Sequence, residues 1–264
     1  MIQTLKSIKK SVKGSYLQAS QLYYNVAGND VECNICHYKA NHLSSDVWHQ
    51  YCICPNCDST VRHRLMVAAF DGLDQFSYSR LIDGKNVLHF APEKELEKII
   101  RQKAGLYKTA DFFAEGYDYE GIDYNIDISN MTAIASDSFD CVIACDVLEH
   151  VPDHIGALRE VYRVLKPGGY CIFTVPQKDG LDKTYEDLSI TTPQKRKEAF
   201  GQIDHLRIYG DDFVDMLADQ GFDVTAVNEE FFSPEVVSRY VLFPPVLSTN
   251  PLATNYRKVF FGRK

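Results

Sequence analysis

The sequence predicts an α/β protein: a parallel sheet covered by helices on both faces, with a small cysteine-clipped unit ahead of it. Three observations point there. Phe139 to Cys145 is a short apolar run rich in valine and isoleucine, the signature of a strand buried on both faces. Leu158, Val161, Tyr162 and Leu165 then recur at helical spacing, and a second apolar run, Tyr170 to Val175, follows; together these make one right-handed βαβ unit. Finally, Cys33-x2-Cys36 and Cys54-x2-Cys57 stand seventeen residues apart, the spacing of a four-cysteine metal site.

Taken in order, residues 1–28 form a basic arm with Lys6, Lys9, Lys10 and Lys13 and no acid before Asp30. Ile2, Leu5, Ile8 and Val12 fall near one helical face, so the arm either packs on its own acidic domain or makes a weak contact with a partner or anionic lipid. Residues 29–64 read as a zinc ribbon. Four thiolates fill a tetrahedral shell and leave no place for water, so the ion is expected to be structural. So small a segment cannot bury enough core to fold alone, and the metal supplies that stability. Cys52 is a spare thiol that could compete with Cys54, and His37, His42, His49 and His63 lie nearby. Arg62, His63 and Arg64 read either as inter-domain ion pairs or as a grip for phosphate. Residues 65–84 contain the connecting helix, beginning Leu65-Met-Val-Ala-Ala-Phe70.

The main domain occupies residues 85–264. Asn86 to Ala91 is its first strand, with Pro92 expected at the first helical position and Glu93 at the positive end of the helix dipole. Leu106 to Asp111 is the second strand; an acid at its carboxyl end can accept from both hydroxyls of a ribose. Asp123, Asp127 and Ile128 surround a short third strand, and each lone aspartate has a turn as its plainer reading. After the strand at Phe139, Asp146-Val-Leu-Glu-His150 forms a polar edge where ligands of such sheets bind. Lys166-Pro-Gly-Gly169 is expected to stop the following helix. Asp211 to Gln220 reads as a helix, Phe222 to Val227 as a strand, and Tyr256 to Phe261 as the last strand. Two long insertions, 176–210 and 231–251, are the natural walls of an acceptor pocket.

Composition narrows the function classes. Hydrophobic residues at 45% and a net charge of −8 suit a globular protein and argue against broad adhesion to nucleic acid. No run of eighteen apolar residues and no signal-like segment occurs, and Cys141, Cys145 and Cys171 fall in or beside core strands, so a reducing, cytoplasmic setting is expected.

FDCVIACDVLEHV, followed by L-x-E-x-x-R-V-L-K-P-G-G, resembles the central segment of class I, type 11-like S-adenosylmethionine-dependent methyltransferases. CPNCDSTVRHRL ahead of such a domain resembles a bacterial group of these enzymes with an N-terminal zinc ribbon. The resemblance implies a Rossmann-like seven-stranded methyltransferase sheet whose last strand is antiparallel. It also implies S-adenosylmethionine as cofactor beside a structural zinc. It puts Phe90, Ala91, Pro92, Glu93, Asp111, Asp127, Ile128, Cys145, Asp146 and His150 at the cofactor, with Asp127 on the adenine amine and Ile128 against its ring. The usual glycine-rich turn is here Phe90-Ala-Pro-Glu93, a departure from the pattern. The implied activity is methyl transfer to a small-molecule or glycan acceptor, most simply at a hydroxyl. An RNA methyltransferase using the ribbon and a non-catalytic cofactor-binding scaffold are the alternatives. His205 is the expected base or acceptor-orienting group, with Arg207 and Tyr209 beside the substrate, and His150 is expected near the transfer centre.

Overall fold

The computed structural model describes residues 28–46, 49–112 and 121–264. The basic arm, apart from Gly28, lies outside the described residues, and with it the expected lipid or partner contact.

Two short strands, Val31–Glu32 and Lys39–Ala40, pair antiparallel around the first cysteine knuckle. Helix α1 (Val61–Gly72) leaves the second knuckle and is buried along most of its length, because the ribbon covers its start and the sheet its side. The main sheet comprises β1 (Asn86–Phe90), β2 (Leu106–Asp111), β3 (Tyr124–Asn125), β4 (Phe139–Cys145), β5 (Leu165–Thr174), β6 (Asp223–Val227) and β7 (Val259–Arg263). Its spatial order is β6-β7-β5-β4-β1-β2-β3, with β7 antiparallel to both neighbours and the remaining pairs parallel. The expected Rossmann-like α/β architecture is therefore present, including the antiparallel last strand. The order reverses between β1 and β4, and a sheet of this kind opens its ligand crevice there.

Alternation along β4 divides the core. Val142 and Ala144 face a cluster with Leu158 and Val161 of α3 (His154–Val164). Cys141, Ile143 and Cys145 face the opposite cluster, with Leu65 and Met66 of α1 and Leu96 and Ile100 of α2 (Lys94–Lys103). No helix among the described residues is long and apolar enough to cross a membrane.

Several boundaries differ from the sequence reading, each for a local reason. Pro92 is not the first helical residue: Glu93 is the N-cap and α2 starts at Lys94, since the Glu93 carboxylate is drawn toward Arg62 and His63. The KPGG segment does not separate helix from strand. β5 already begins at Leu165, opposite Phe139, and runs through both glycines with a register shift. Gly169 is required for this: a Cβ there would stand 2.9 Å from the carbonyl oxygens of Asp140 and Lys166. The helix expected over 211–220 is shorter, Phe213–Ala218, and the last strand starts at Val259 rather than Tyr256. The first insertion contains a helix, Pro193–Phe200, and a two-residue pairing of Tyr185–Glu186 with Arg207–Ile208. The second contains the helix Pro234–Tyr240, which lies against the ribbon strand at Val31.

Candidate functional site

The four ribbon cysteines come together as their spacing predicts. Their sulfurs lie within 4.8 Å of one another, with Cys33 to Cys57 at 3.7 Å and Cys36 to Cys54 at 3.6 Å. A tetrahedral ion with bonds of about 2.3 Å requires sulfurs about 3.8 Å apart, so the donor set fits zinc without rearrangement. Cys52 stays outside: it is buried and its thiol donates to the Gln50 carbonyl.

The segment after the ribbon carries the contacts that join it to the main domain. Arg64 is fully buried and donates to four backbone carbonyls, Cys52 and Ser59 on the ribbon side and Tyr240 and Val241 on the other. Arg62 makes a two-pronged pair with Glu93 at the end of β1 and reaches Asp146 beyond β4 at 2.8 Å. His63 Nδ1 accepts from the Thr60 N–H, leaving Nε2 to face the Glu93 carboxylate at 2.7 Å. The inter-domain reading of Arg62 and His63 is the one observed. Arg64 is a clamp on carbonyls instead of an ion pair.

Glu93 and Asp146 mark the switch point. Ala91 and Asp146, each just past the carboxyl end of its strand, adopt left-handed backbone with φ of 44° and 50°, so both turn sharply away from the sheet. Asp146 also accepts from Arg257 and from the Thr174 hydroxyl. Burial alone would raise both carboxyls. The His63 hydrogen bond and the Arg62 charge overcome this and hold Glu93 down to about 2, and the two arginines hold Asp146 well below its usual range. Both shifts are downward, so this network stabilises the fold fully above about pH 4.5, the unperturbed glutamate value, and the contribution disappears as pH falls toward 2. Unfolding measured from pH 6 to pH 2 should show that loss, and Arg62→Met should flatten it; an unchanged slope in the variant would rule the network out as its source.

The remaining expected cofactor residues divide into those at the cleft and those below it. Asp111 ends β2 beside a cleft of about 500 Å³ with Ala91, Pro92 and Ile122, and its carboxylate accepts from the Phe112 N–H. Asp127 accepts from the Ser129 N–H and hydroxyl, the turn its plainer reading foresaw. Phe90, Ile128 and Cys145 are buried in the two core clusters, so they offer the crevice backbone more than side chain.

Beyond Asp146 opens a second cavity of about 550 Å³, lined by Arg62, Asp146, Glu149, His205, Ile208 and Arg257 among others. Phe200 to Ile203 of the first insertion and Pro244 and Ser248 of the second line it, with Leu252 to Thr254 just beyond. The expectation for Arg207 and Tyr209 is overturned. Arg207 is buried and spends its guanidinium on the carbonyls of Leu148, Val151 and Pro152 and on Glu186, while the Tyr209 hydroxyl pairs with His154. Both shape the loop after β4 and neither is free to meet a substrate. His205 lies in the cavity wall, and His150 stacks edge-on against it with ring centroids 4.8 Å apart. Burial, then the neighbouring His150, lowers the His205 imidazole to about 4. Burial, then the Asp146 charge, pushes the Glu149 carboxyl well up. Glu149 and Arg257 are the site residues missed in the sequence. Glu149 sits in the same LEH run as His150 and was open to notice, whereas nothing near Arg257 signals a role.

A family model described as a methyltransferase domain matches residues 61–227. A 53-residue stretch is 42% identical to the ubiquinone/menaquinone biosynthesis C-methyltransferase UbiE of Desulfotalea psychrophila, covering 20% of this chain and 22% of that protein. A 90-residue stretch is 34% identical to an uncharacterized 37.1 kDa protein in transposon TN4556 of Streptomyces fradiae, covering 34% of this chain and 26% of the relative. The chain thus spans about a quarter of the length of the curated relatives it matches. Among solved structures, a Burkholderia thailandensis 1,6-didemethyltoxoflavin-N1-methyltransferase with bound S-adenosylhomocysteine aligns with a TM-score of 0.48 and 15% identity, over 78% of this chain and 79% of that one.

Proposed function

The chain belongs to the methyltransferase-domain family, and on that premise we propose that it moves a methyl group from S-adenosylmethionine to a hydroxyl of a small-molecule or glycan acceptor. The observation carrying this reading is that Asp146 belongs at once to the switch-point crevice and to the 550 Å³ cavity. A cofactor in the first and an acceptor in the second would therefore meet at one residue.

The side chains fit the cofactor's chemistry. Its methionine part carries an ammonium and a sulfonium, and the Glu93 and Asp146 carboxylates, here compensated by Arg62, His63 and Arg257, stand at the crevice where those positive groups would lie. The left-handed turn at Ala91 stands in for the missing glycine and swings the chain off the end of β1. Asp111 is the ribose acceptor in this reading, and Asp127 the contact for the adenine amine. S-Adenosylmethionine supplies an electrophilic methyl carbon whose C–S bond breaks as the new O–C bond forms. The protein's part is to hold the acceptor oxygen in line and remove its proton, and His205 is the base or orienting group, with His150 beside the cofactor. The four cysteines hold a structural zinc.

Calorimetric titration tests the cofactor half. Asp111→Ala and Asp127→Ala should each weaken S-adenosylmethionine binding by about 1–3 kcal/mol, as expected for a lost hydrogen-bonding partner. Unchanged affinity in both removes these residues from the site, and no binding by the wild-type protein defeats the enzymatic reading. Transfer of labelled methyl into a pool of hydroxylated metabolites and glycans tests the acceptor class.

A further inference from the structure

We propose that Glu149, His150 and His205 form a second metal site, distinct from the ribbon, which takes one divalent first-row ion at the wall of the acceptor cavity. One ligand atom from each residue lies within 4.8 Å of the others. Glu149 Oε1 is 3.9 Å from His205 Nε2 and 4.0 Å from His150 Nε2. These distances are too long for hydrogen bonds. Ligands about 2.1 Å from a common ion stand roughly 3.0–3.4 Å apart, so side-chain movements under about 1 Å close the shell.

Two of the three groups are costly as they stand. Glu149 is 1% exposed and its Oε2 has no hydrogen-bond partner; His205 is 2% exposed and its Nε2 has none either. Arg207 is the nearby buried cation, but it is committed to the carbonyls of Leu148, Val151 and Pro152 and to Glu186. Buried polar atoms left unpaired are rare in folded proteins and mark either strain or a missing ion or ligand.

The outer ring nitrogens explain why a metal fits better than a proton. His205 Nδ1 faces the Phe200 carbonyl at 3.3 Å, and His150 Nδ1 faces the Asp204 carboxylate at 3.4 Å. Each acceptor favours a proton on Nδ1, which leaves both Nε2 lone pairs pointing toward Glu149. An imidazole whose far nitrogen donates to a carbonyl or carboxylate is the usual arrangement behind a metal ligand. Two imidazoles and a carboxylate suit zinc, iron(II), cobalt or manganese better than calcium or magnesium.

Three protein ligands leave coordination positions open on the cavity side. An acceptor hydroxyl held there would be more acidic and could give its proton to water in the open cavity, and His205 would then orient the acceptor through the ion in place of taking the proton itself. This use rests on the methyl-transfer reading; the binding of the ion does not.

The test is a titration of Mn2+ into the full-length protein with its ribbon already loaded with zinc, read from the loss of the free-ion electron paramagnetic resonance signal. Mn2+ competes poorly for four thiolates, so uptake reports the second site. About one Mn2+ per chain is expected, with uptake weakened at least tenfold in Glu149→Gln and in His150→Ala, and more weakly in Asp204→Asn. Glu149→Gln should fold at least as well as wild type, because it removes the charge of a buried carboxyl whose Oε2 has no hydrogen-bond partner. His150→Ala, at a partly exposed position, carries the test should that variant fail to fold. No Mn2+ or Zn2+ uptake beyond the ribbon, or uptake unchanged in these variants, overturns the site. S-Adenosylmethionine titrated into the same samples separates the two ideas. Cofactor binding without a second ion defeats only the metal site, and ion uptake without cofactor binding defeats only the methyl-transfer reading.

Discussion

Arg64→Met is expected to destabilise the protein by about 3–5 kcal/mol, more than any other single substitution between the ribbon and the main domain. The guanidinium is wholly buried and satisfies the carbonyls of Cys52, Ser59, Tyr240 and Val241 at once. Methionine matches much of its volume but donates nothing, so four acceptors lose their partner away from water, each at a cost of about 1–3 kcal/mol before relaxation. Two further terms act in the same direction. Tyr240 ends a helix, whose last carbonyls favour a cation. With a divalent ion bound, the four thiolates would also carry a net negative charge that Arg64 would offset from nearby. Urea unfolding of the variant measures the loss, and a change below about 1 kcal/mol would show that the carbonyls find other partners.

Removing the ribbon metal should have an effect of similar rank and wider reach. Zinc binding to small four-ligand units is worth on the order of 10 kcal/mol, which is folding free energy for a segment with little core of its own. One zinc per chain should survive dialysis, and both Cys54→Ser and strong chelation should open residues 29–60 to protease. The consequence should extend to the crevice. Arg62 reaches Glu93 and Asp146 only because the ribbon and α1 hold it there, so metal-free protein should also bind S-adenosylmethionine more weakly. Folded, protease-resistant protein without metal would refute the structural role. Weak cofactor binding in a ribbon that remains closed would instead put the fault at the crevice alone.

The elements legible in the sequence share one property: their signals are local. The βαβ unit announced itself through valine and isoleucine over seven residues and apolar spacing in the next helix, both read within about thirty positions. The cysteine pairs carried their geometry in the number of residues between them, and the sulfurs stand as that spacing requires. The third strand was read only approximately, because the two residues that pair there leave little pattern. His205 was singled out by residue type within a polar loop. Its burial, and the Glu149 carboxylate next to it, left no mark in the spacing.

The sequence alone thus determined the parallel sheet, the paired cysteines and the polar edge after β4, because periodicity and ligand spacing are properties of neighbouring residues. Only the tertiary structure decided which charges meet. Arg62 could have gripped a phosphate or paired within the protein; Glu93 and Asp146 settle it, from positions 31 and 84 residues away. Arg207 was as plausible a substrate ligand as any, until three carbonyls of the loop after β4 claimed it. A charged side chain takes its role from the partner that compensates its burial, and that partner is chosen by how distant segments pack, which no local pattern records.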